Sequence, residues 1–254
     1  MDQRWAIWFA IEGDLRFCSH HDLLRTMERL ATRAHLPLRY SQGFNPRPRM
    51  SLVCPRPVGV SAPEDLLVAV LESPGQAPAG AGALCEADLL EALNRQAVPG
   101  LRFLRARPMT VSGIPRPVRI TYELPLRPLE MEPVRARLGE LALQGAWPVE
   151  RLVTSQNRRQ QRWQRQPIDI KPLIEQVDLA AARLRWVARR RQEAWARPGE
   201  LLALVGLDSR SDVARVVRTL VTYENDPLSP APSAPTSSAD ASAAEKGNEQ
   251  RNPD

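Results

Sequence analysis

The apolar positions of the first hundred residues follow two different periods. Residues 5–11 are continuously apolar, which predicts a buried central strand. Further along, Leu23, Met27 and Leu30 recur at helical spacing, and Ser19 stands before them as an expected N-cap. The chain is therefore predicted to begin with a strand, followed by an amphipathic helix that lies on a sheet.

The pattern after this helix completes the order βαββαβ. Strands are expected at residues 50–55, 66–71 and 101–107, and a second helix is expected at residues 85–95. This is the order of the split ferredoxin-like motif, which forms one antiparallel sheet with both helices on one face. Residues 1–114 are accordingly predicted to form a first ferredoxin-like half.

A second half of the same kind is predicted for residues 115–226, from a less regular pattern. Its expected elements are strands at residues 118–124, 149–154 and 183–189, a helix at residues 132–143, and an apolar segment at residues 168–174 after a basic loop. Residues 212–222 fit a helix by the spacing of their apolar side chains and a strand by their β-branching. The predicted fold is thus α+β, with two tandem ferredoxin-like halves and antiparallel sheets.

The last 28 residues, 227–254, have a different composition. They contain no aromatic residue and one large aliphatic residue, Leu228, so they cannot bury enough apolar surface to offset the entropy of ordering. We predict a disordered tail. Because the tail holds four acidic and two basic residues, the folded body is more basic than the formal net charge of +6 for the whole chain.

Composition also excludes several classes of protein. The three cysteines, Cys18, Cys54 and Cys85, are too far apart in sequence for a disulfide framework, a zinc site or an iron–sulfur cluster. No metal and no cofactor are expected. No apolar run approaches the ~20 residues that span a bilayer, and the N-terminus has no signal pattern. We therefore expect a cytoplasmic protein with no membrane contact.

Several motifs carry a resemblance to a known family. They are GDLRF at residues 13–17, SHHDLLR at 19–25, YSQGFNPRP at 40–48, PVGV at 57–60, IDIKPLI at 168–174 and RPGELL at 197–202. Together they resemble the radical SAM-linked protein family, a domain of unknown function found beside or fused to radical SAM proteins. The family often has His where Arg47 stands and Leu where His21 stands. Since this chain lacks the three clustered cysteines of radical SAM chemistry, the resemblance implies a radical SAM protein as partner.

The start of the first helix is one candidate site. Ser19, His20 and Arg25 stand where backbone amides and the helix dipole favour an anion, and Asp22 lies among them. The alternative interpretation is that Ser19 and Asp22 cap the helix while His20 packs.

The loop at residues 41–49 is a second candidate. Its candidate residues are Gln42, Gly43, Phe44 and Asn45, which place an aromatic ring beside amides that read a base edge. Alternatively, Phe44 fills a gap in the core. We predict that this loop folds back over the sheet end, so that His20 and Asn45 face one cleft.

A basic stretch with a tryptophan is the third candidate. Its residues are Arg151, Arg158, Arg159, Arg162, Trp163 and Arg165, and no acidic residue interrupts positions 151–168. This composition indicates RNA or another polyanion as a ligand, although most arginine clusters are solvated surface charge.

No catalytic constellation is evident, since His20 and Asp22, two residues apart on a helix, face different directions. The favoured interpretation is a non-catalytic accessory protein that binds RNA or presents a translation-related substrate to a radical SAM partner. The alternatives are a nucleic-acid-processing enzyme that uses His20 and residues 41–49, and a structural protein-interaction domain.

Overall fold

The structure is a computed structural model that describes residues 3–72, 85–111, 113–154 and 163–227. It confirms a mixed α+β protein with antiparallel sheets. The predicted tail lies outside the described residues from position 228 onward. None of the helices in this part of the chain is long and apolar enough to cross a membrane.

The first sheet contains the four strands of the N-terminal half in the order β2-β3-β1-β4. Its elements are β1 (Gln3–Ile11), α1 (His20–Arg33), β2 (Met50–Leu52), β3 (Ala62–Leu71), α2 (Glu86–Gln96) and β4 (Leu101–Pro108). All strand pairs are antiparallel. Ser19 caps α1 as predicted, and the Cys85 thiol accepts the amide of Asp88 at the start of α2.

The second sheet has the order β10-β5-β9-β8, and a separate hairpin pairs β6 with β7. The elements are β5 (Pro117–Pro125), α3 (Met131–Leu143), β6 (Pro148–Thr154), β7 (Trp163–Asp169), β8 (Ile174–Ala180), β9 (Arg183–Arg189), α4 (Pro198–Leu204) and β10 (Val217–Tyr223). If the hairpin is set aside, the second half has the same element order as the first: strand, helix, two strands, helix, strand. When the strands are numbered within each half, both sheets have the same spatial order, which is second, third, first and last.

The structure settles two segments of the second half that the sequence pattern left open. The segment 168–174 is divided between the end of β7, a 3-10 turn at Lys171–Leu173 and the start of β8. Pro172 lacks the amide that a continuous strand needs, and the Asp169 carboxylate instead accepts the backbone amides of Trp147 and Lys171. In residues 212–222, a 3-10 turn at Asp212–Arg215 precedes β10, which pairs with β5.

The alternation of β1 separates two apolar layers. Trp5, Ile7 and Phe9 belong to a core shared with α1 and α2, whereas Ala6 and Trp8 are buried on the other face of the sheet. The fold therefore covers both faces of the first sheet, one with its own helices and one partly with residues that include Tyr223 of β10.

The two halves share part of the apolar core formed by the second sheet and its helices, which we call the second core. Cys54 and Val60, from the connection between β2 and β3, are buried in the cluster formed by the second sheet and its helices. Ser61 forms a parallel bridge with Val217 at the start of β10. The connection between β2 and β3 therefore fixes one half against the other.

Candidate functional site

The side chains at the start of α1 are largely paired with one another. The Ser19 hydroxyl accepts the Asp22 amide at 3.2 Å and donates to the Asp22 carboxylate at 2.7 Å. Arg25 lies 3.9 Å from the same carboxylate. These contacts match the capping interpretation of Ser19 and Asp22, and they leave a carboxylate where an anion would have to bind.

His20 is partly buried and lines a small cavity. Cys18, Cys54, Arg56 and Asp65 line this cavity with it. Burial lowers the pKa of His20 from its ordinary 6.5, and the neighbouring His21 lowers it further. The neutral imidazole is therefore the favoured form in the folded protein.

The loop at residues 41–49 projects from the edge of the first sheet. The Ser41 amide donates to the Arg47 carbonyl at 2.9 Å, and the Arg47 amide donates to the Ser41 hydroxyl at 3.0 Å. Phe44 is fully exposed, as are Gln42, Gly43 and Asn45 around it. The alternative in which Phe44 fills the core is therefore wrong.

The predicted convergence of this loop with His20 is also wrong. The base of the loop pairs with the far end of β3, where the Val70 amide donates to the Arg49 carbonyl. The cavity beside His20 instead contacts Asp65 and Leu66, about 13 Å earlier along that strand. Because α1 runs back along the sheet for 14 residues, its start and the loop after its end lie at opposite ends.

A buried ionic cluster joins the two halves, and we call it the joint: Arg218, Asp65, Cys54 and Arg56. The Arg218 guanidinium, with no exposed surface, donates to the Asp65 carboxylate, to the Cys54 carbonyl at 3.1 Å and to the Cys54 thiol at 3.2 Å. Burial is the largest single effect and opposes its charge, but Asp65, Cys54 and Tyr122 together outweigh it and hold the pKa of Arg218 above its ordinary value. The joint therefore holds β10 to β3 by a paired charge.

The side chains of Arg56 and Cys54, the other members of the joint, are also buried. Arg56 donates to the carbonyls of Arg16, Pro57 and Val60, yet its buried Nε has no partner among the described residues. Burial lowers its pKa to about 10, so it stays protonated at neutral pH. Burial also raises the pKa of the Cys54 thiol, which keeps it protonated and poorly nucleophilic.

The β6–β7 hairpin, residues 148–169, is the third feature, and we call it the arm. Directly paired residues share a face, so the pair Leu152 and Arg165 lies on the same side as Trp163. Trp163 is 66% exposed and Leu152 is 54% exposed, whereas Val149 and Ile168 on the other face pack against the second core. The arm thus has an anchored face and a solvent face that carries an aromatic ring and a cation.

The structure separates Arg151 from the other arginines predicted in this stretch. Its guanidinium donates twice to the Glu200 carboxylate, at 2.7 and 2.6 Å, and once to the Trp195 carbonyl at 3.0 Å. Arg151 is therefore an anchor for the arm and not a free cation. Arg158, Arg159 and Arg162 lie in the segment between the paired residues Thr154 and Trp163, outside the described residues.

An open cleft of about 1050 Å³ lies beside the base of the arm. It is bounded by residues 55–58 of the first half, by residues 148–152 of β6, by α4 and by residues 209–213. Parts of two motifs that carry the family resemblance, at 57–60 and 197–202, thus meet across one cleft. Among the described residues, no cluster of three or more His, Cys, Asp or Glu side chains is arranged to hold a metal ion.

These features define an α+β protein of two joined antiparallel sheets that carries an aromatic and basic arm. The chain belongs to the family described as "uncharacterized protein conserved in bacteria (DUF2344)", whose model matches residues 4–198. No curated protein matches its sequence.

Among solved structures, the chain is similar to an unknown protein from Galdieria sulphuraria, with 13% identity. The match covers 88% of this chain and 98% of that one at a TM-score of 0.25. A superposition at this level does not establish a shared fold.

Proposed function

We propose that this protein is an RNA-binding accessory protein, and that the arm is its RNA contact. The observation that carries this proposal is the solvent face of the arm, where Trp163 and Arg165 stand together on a hairpin anchored from its other face. Exposed aromatic rings stack on unpaired bases, and nearby guanidiniums neutralise phosphates. The segment between the two strands adds three arginines and no acidic residue.

The anchoring of the arm supports a binding role over simple solvation of charge. Arg151 and Glu200 fix the base of the hairpin, so Trp163 is carried on a strand and not on a free loop. A platform held in this way loses less conformational entropy when a base stacks on it. We therefore place single-stranded RNA, or an unpaired loop of a folded RNA, as the ligand.

The accessory part of the proposal rests on the resemblance to radical SAM-linked proteins. We propose that a radical SAM protein acts on the RNA, or on a translation-related substrate that the chain presents, in the cytoplasm. Cys54 is poorly nucleophilic because burial raises the pKa of its thiol, and His20 lines a small cavity beside the joint and not the arm, so neither is placed to attack an RNA bound on the arm. The two regions that an enzyme of this chain would have used lie at opposite ends of the first sheet.

We also infer that both halves are ferredoxin-like. The support is the shared order of elements and the shared arrangement of strands, β2-β3-β1-β4 in one half and β8-β9-β5-β10 in the other. In this interpretation the arm is an insertion between the first helix and the second strand of the second half.

The salt dependence of RNA binding tests this function. Affinity for a fluorescent single-stranded RNA should fall steeply with salt, and replacing Arg158, Arg159 and Arg162 by Ala should reduce the log–log slope by about two units. The control replaces the exposed arginines Arg29, Arg102 and Arg116 and should keep the slope. An unchanged slope in the first variant would remove the arm from the interface. RNA recovered after incubation with the chain alone should keep its mass.

A further inference from the structure

The strand β6 borders the cleft with its edge. Five consecutive residues, 148–152, line the cleft, although neighbouring side chains on a strand point to opposite faces. This lining favours a cavity that runs along the strand's edge. Within the described residues, β6 pairs with β7 on one side and with no strand on the other. On that side, its backbone amides and carbonyls have no partner in the part of the chain that the structure describes, so they can pair with an added strand.

The remaining walls of the cleft carry apolar and basic side chains. Val58, which is 52% exposed, supplies apolar surface together with Leu204 and Val213. Arg197 and Arg210 also line the cleft, and neither guanidinium forms an ion pair among the described residues. Arg151 and Glu200 neutralise each other, and Glu150 offsets only one of the remaining arginines, so the lining keeps an excess of positive charge.

We propose that the cleft is a docking groove for an extended acidic peptide of a partner protein, which adds a third strand to the arm along β6. Backbone pairing on the open edge would supply affinity, and alternate side chains would contact the apolar surface of Val58, Leu204 and Val213, as in other complexes formed by strand addition. Acidic residues of the peptide would face Arg197 and Arg210. This inference does not depend on RNA binding by the arm.

A partner peptide fits the groove better than the chain's own tail. Residues 228–254 contain no Val, Ile or aromatic residue and include several prolines, which is a poor composition for a strand. RNA is disfavoured as well, since an unpaired strand edge offers alternating backbone amides and carbonyls and not an array of cations. The tail and a second copy of the chain remain outcomes that the experiment separates.

Displayed random peptides of about eight residues, enough to pair along the seven residues of β6, provide the probe. Selection on the full chain should enrich peptides that alternate acidic with β-branched residues. The best one is synthesised with a fluorophore and measured by anisotropy. N-methylation of its alternate amides in one register should abolish binding, whereas methylation in the other register should leave it nearly unchanged. Only the edge that faces β6 needs its donors.

The double variant Arg197→Glu and Arg210→Glu should weaken the peptide about tenfold. The matched variant Arg29→Glu and Arg102→Glu, on the first half, should bind it normally. Three results would overturn the proposal: no peptide enriched over a mock selection, equal effects of the two methylation registers, or displacement of the peptide by synthetic residues 228–254 or by self-association of the chain. Loss of RNA binding in other variants would leave it standing.

Discussion

Arginine has opposite surroundings in two regions of this protein, the joint and the arm. At the joint, Arg218 is completely buried, and its charge is matched by Asp65 from the other half. On the solvent face of the arm, Arg165 is exposed beside Trp163 and has no ion-pair partner among the described residues. The first charge is neutralised inside the chain, whereas the second is left for something outside it. A count of arginines cannot distinguish these two uses.

The largest expected effect is at the joint. Asp65→Ala leaves the Arg218 guanidinium buried without its carboxylate, which should lower the free energy of unfolding by about 3–5 kcal/mol. Urea denaturation measures this loss. The double variant Asp65→Leu with Arg218→Met should recover much of it, because a paired charge and an apolar pair are often of similar stability. A control at the exposed pair Glu91 and Arg95 should cost less than about 1 kcal/mol.

A near-normal stability of Asp65→Ala would mean that the Asp65–Arg218 charge pair contributes little to holding the halves together. In that case the neutralised charge of Arg218 would no longer distinguish the joint from the arm.

The next effect is on the arm. Trp163→Ala should weaken single-stranded RNA by about 1–3 kcal/mol, or about fivefold to 150-fold, because the stacking platform is lost. Its stability should change little, since the side chain is mostly exposed. Trp163→Phe keeps a smaller ring and should retain part of the affinity. Equal RNA affinity of the Ala variant and the native chain would leave the exposed face of the arm without a ligand.

A smaller effect is expected at the helix start, which borders the joint. Ser19→Ala removes the cap that accepts the Asp22 amide and should cost about 1 kcal/mol of stability. RNA affinity should not change, because the start of α1 lies beside the joint and is not part of the arm. Ser19→Asp keeps an acceptor and serves as the control. A loss of RNA binding without a loss of stability would return Ser19 to a binding role.

The smallest effect concerns pH. His20 has a lower pKa in the folded chain than its ordinary 6.5, so the unfolded chain binds the proton more readily. The stability that this difference contributes is present above pH 6.5 and is lost as the pH falls through the folded pKa. His20→Gln should flatten this acid-side decline in thermal melts. The exposed His35 replaced by Asn is the control, and an identical decline in both variants would show that burial does not lower the pKa of His20.

Local patterns predicted the first half well because its signals are local. The helical spacing of Leu23 and Met27 and the capping residue Ser19 lie within a few residues of one another, and α1 begins where they indicate. The first sheet followed from the order of its apolar segments. The second did not, because the strand expected at residues 149–154 pairs in the separate hairpin and β8 was not predicted. What failed was the placement of the loop at 41–49, because its position depends on pairing with β3 and not on its own composition.

The joint could not be predicted because its partners are far apart in sequence. Arg218 and Asp65 are separated by 153 positions, and each looks like ordinary surface charge in its own segment. The same reason hid the role of Arg151, whose partner Glu200 lies 49 positions away. One signal was present: Arg218 stands within the β-branched run that forms β10, an edge strand of the second sheet, so the strand had to direct that guanidinium to one of its two faces.

The contribution of Cys54 and Val60 to the second core has a consequence for how this protein can be divided or fused. A fragment beginning at residue 115 would keep the second sheet but lose two residues that fill its core, and Arg218 would face solvent where Asp65 had been. The seam between the halves is therefore a poor site for cutting, although it lies between two complete sheets. Any recombination that moves this protein onto another chain has to carry both halves together.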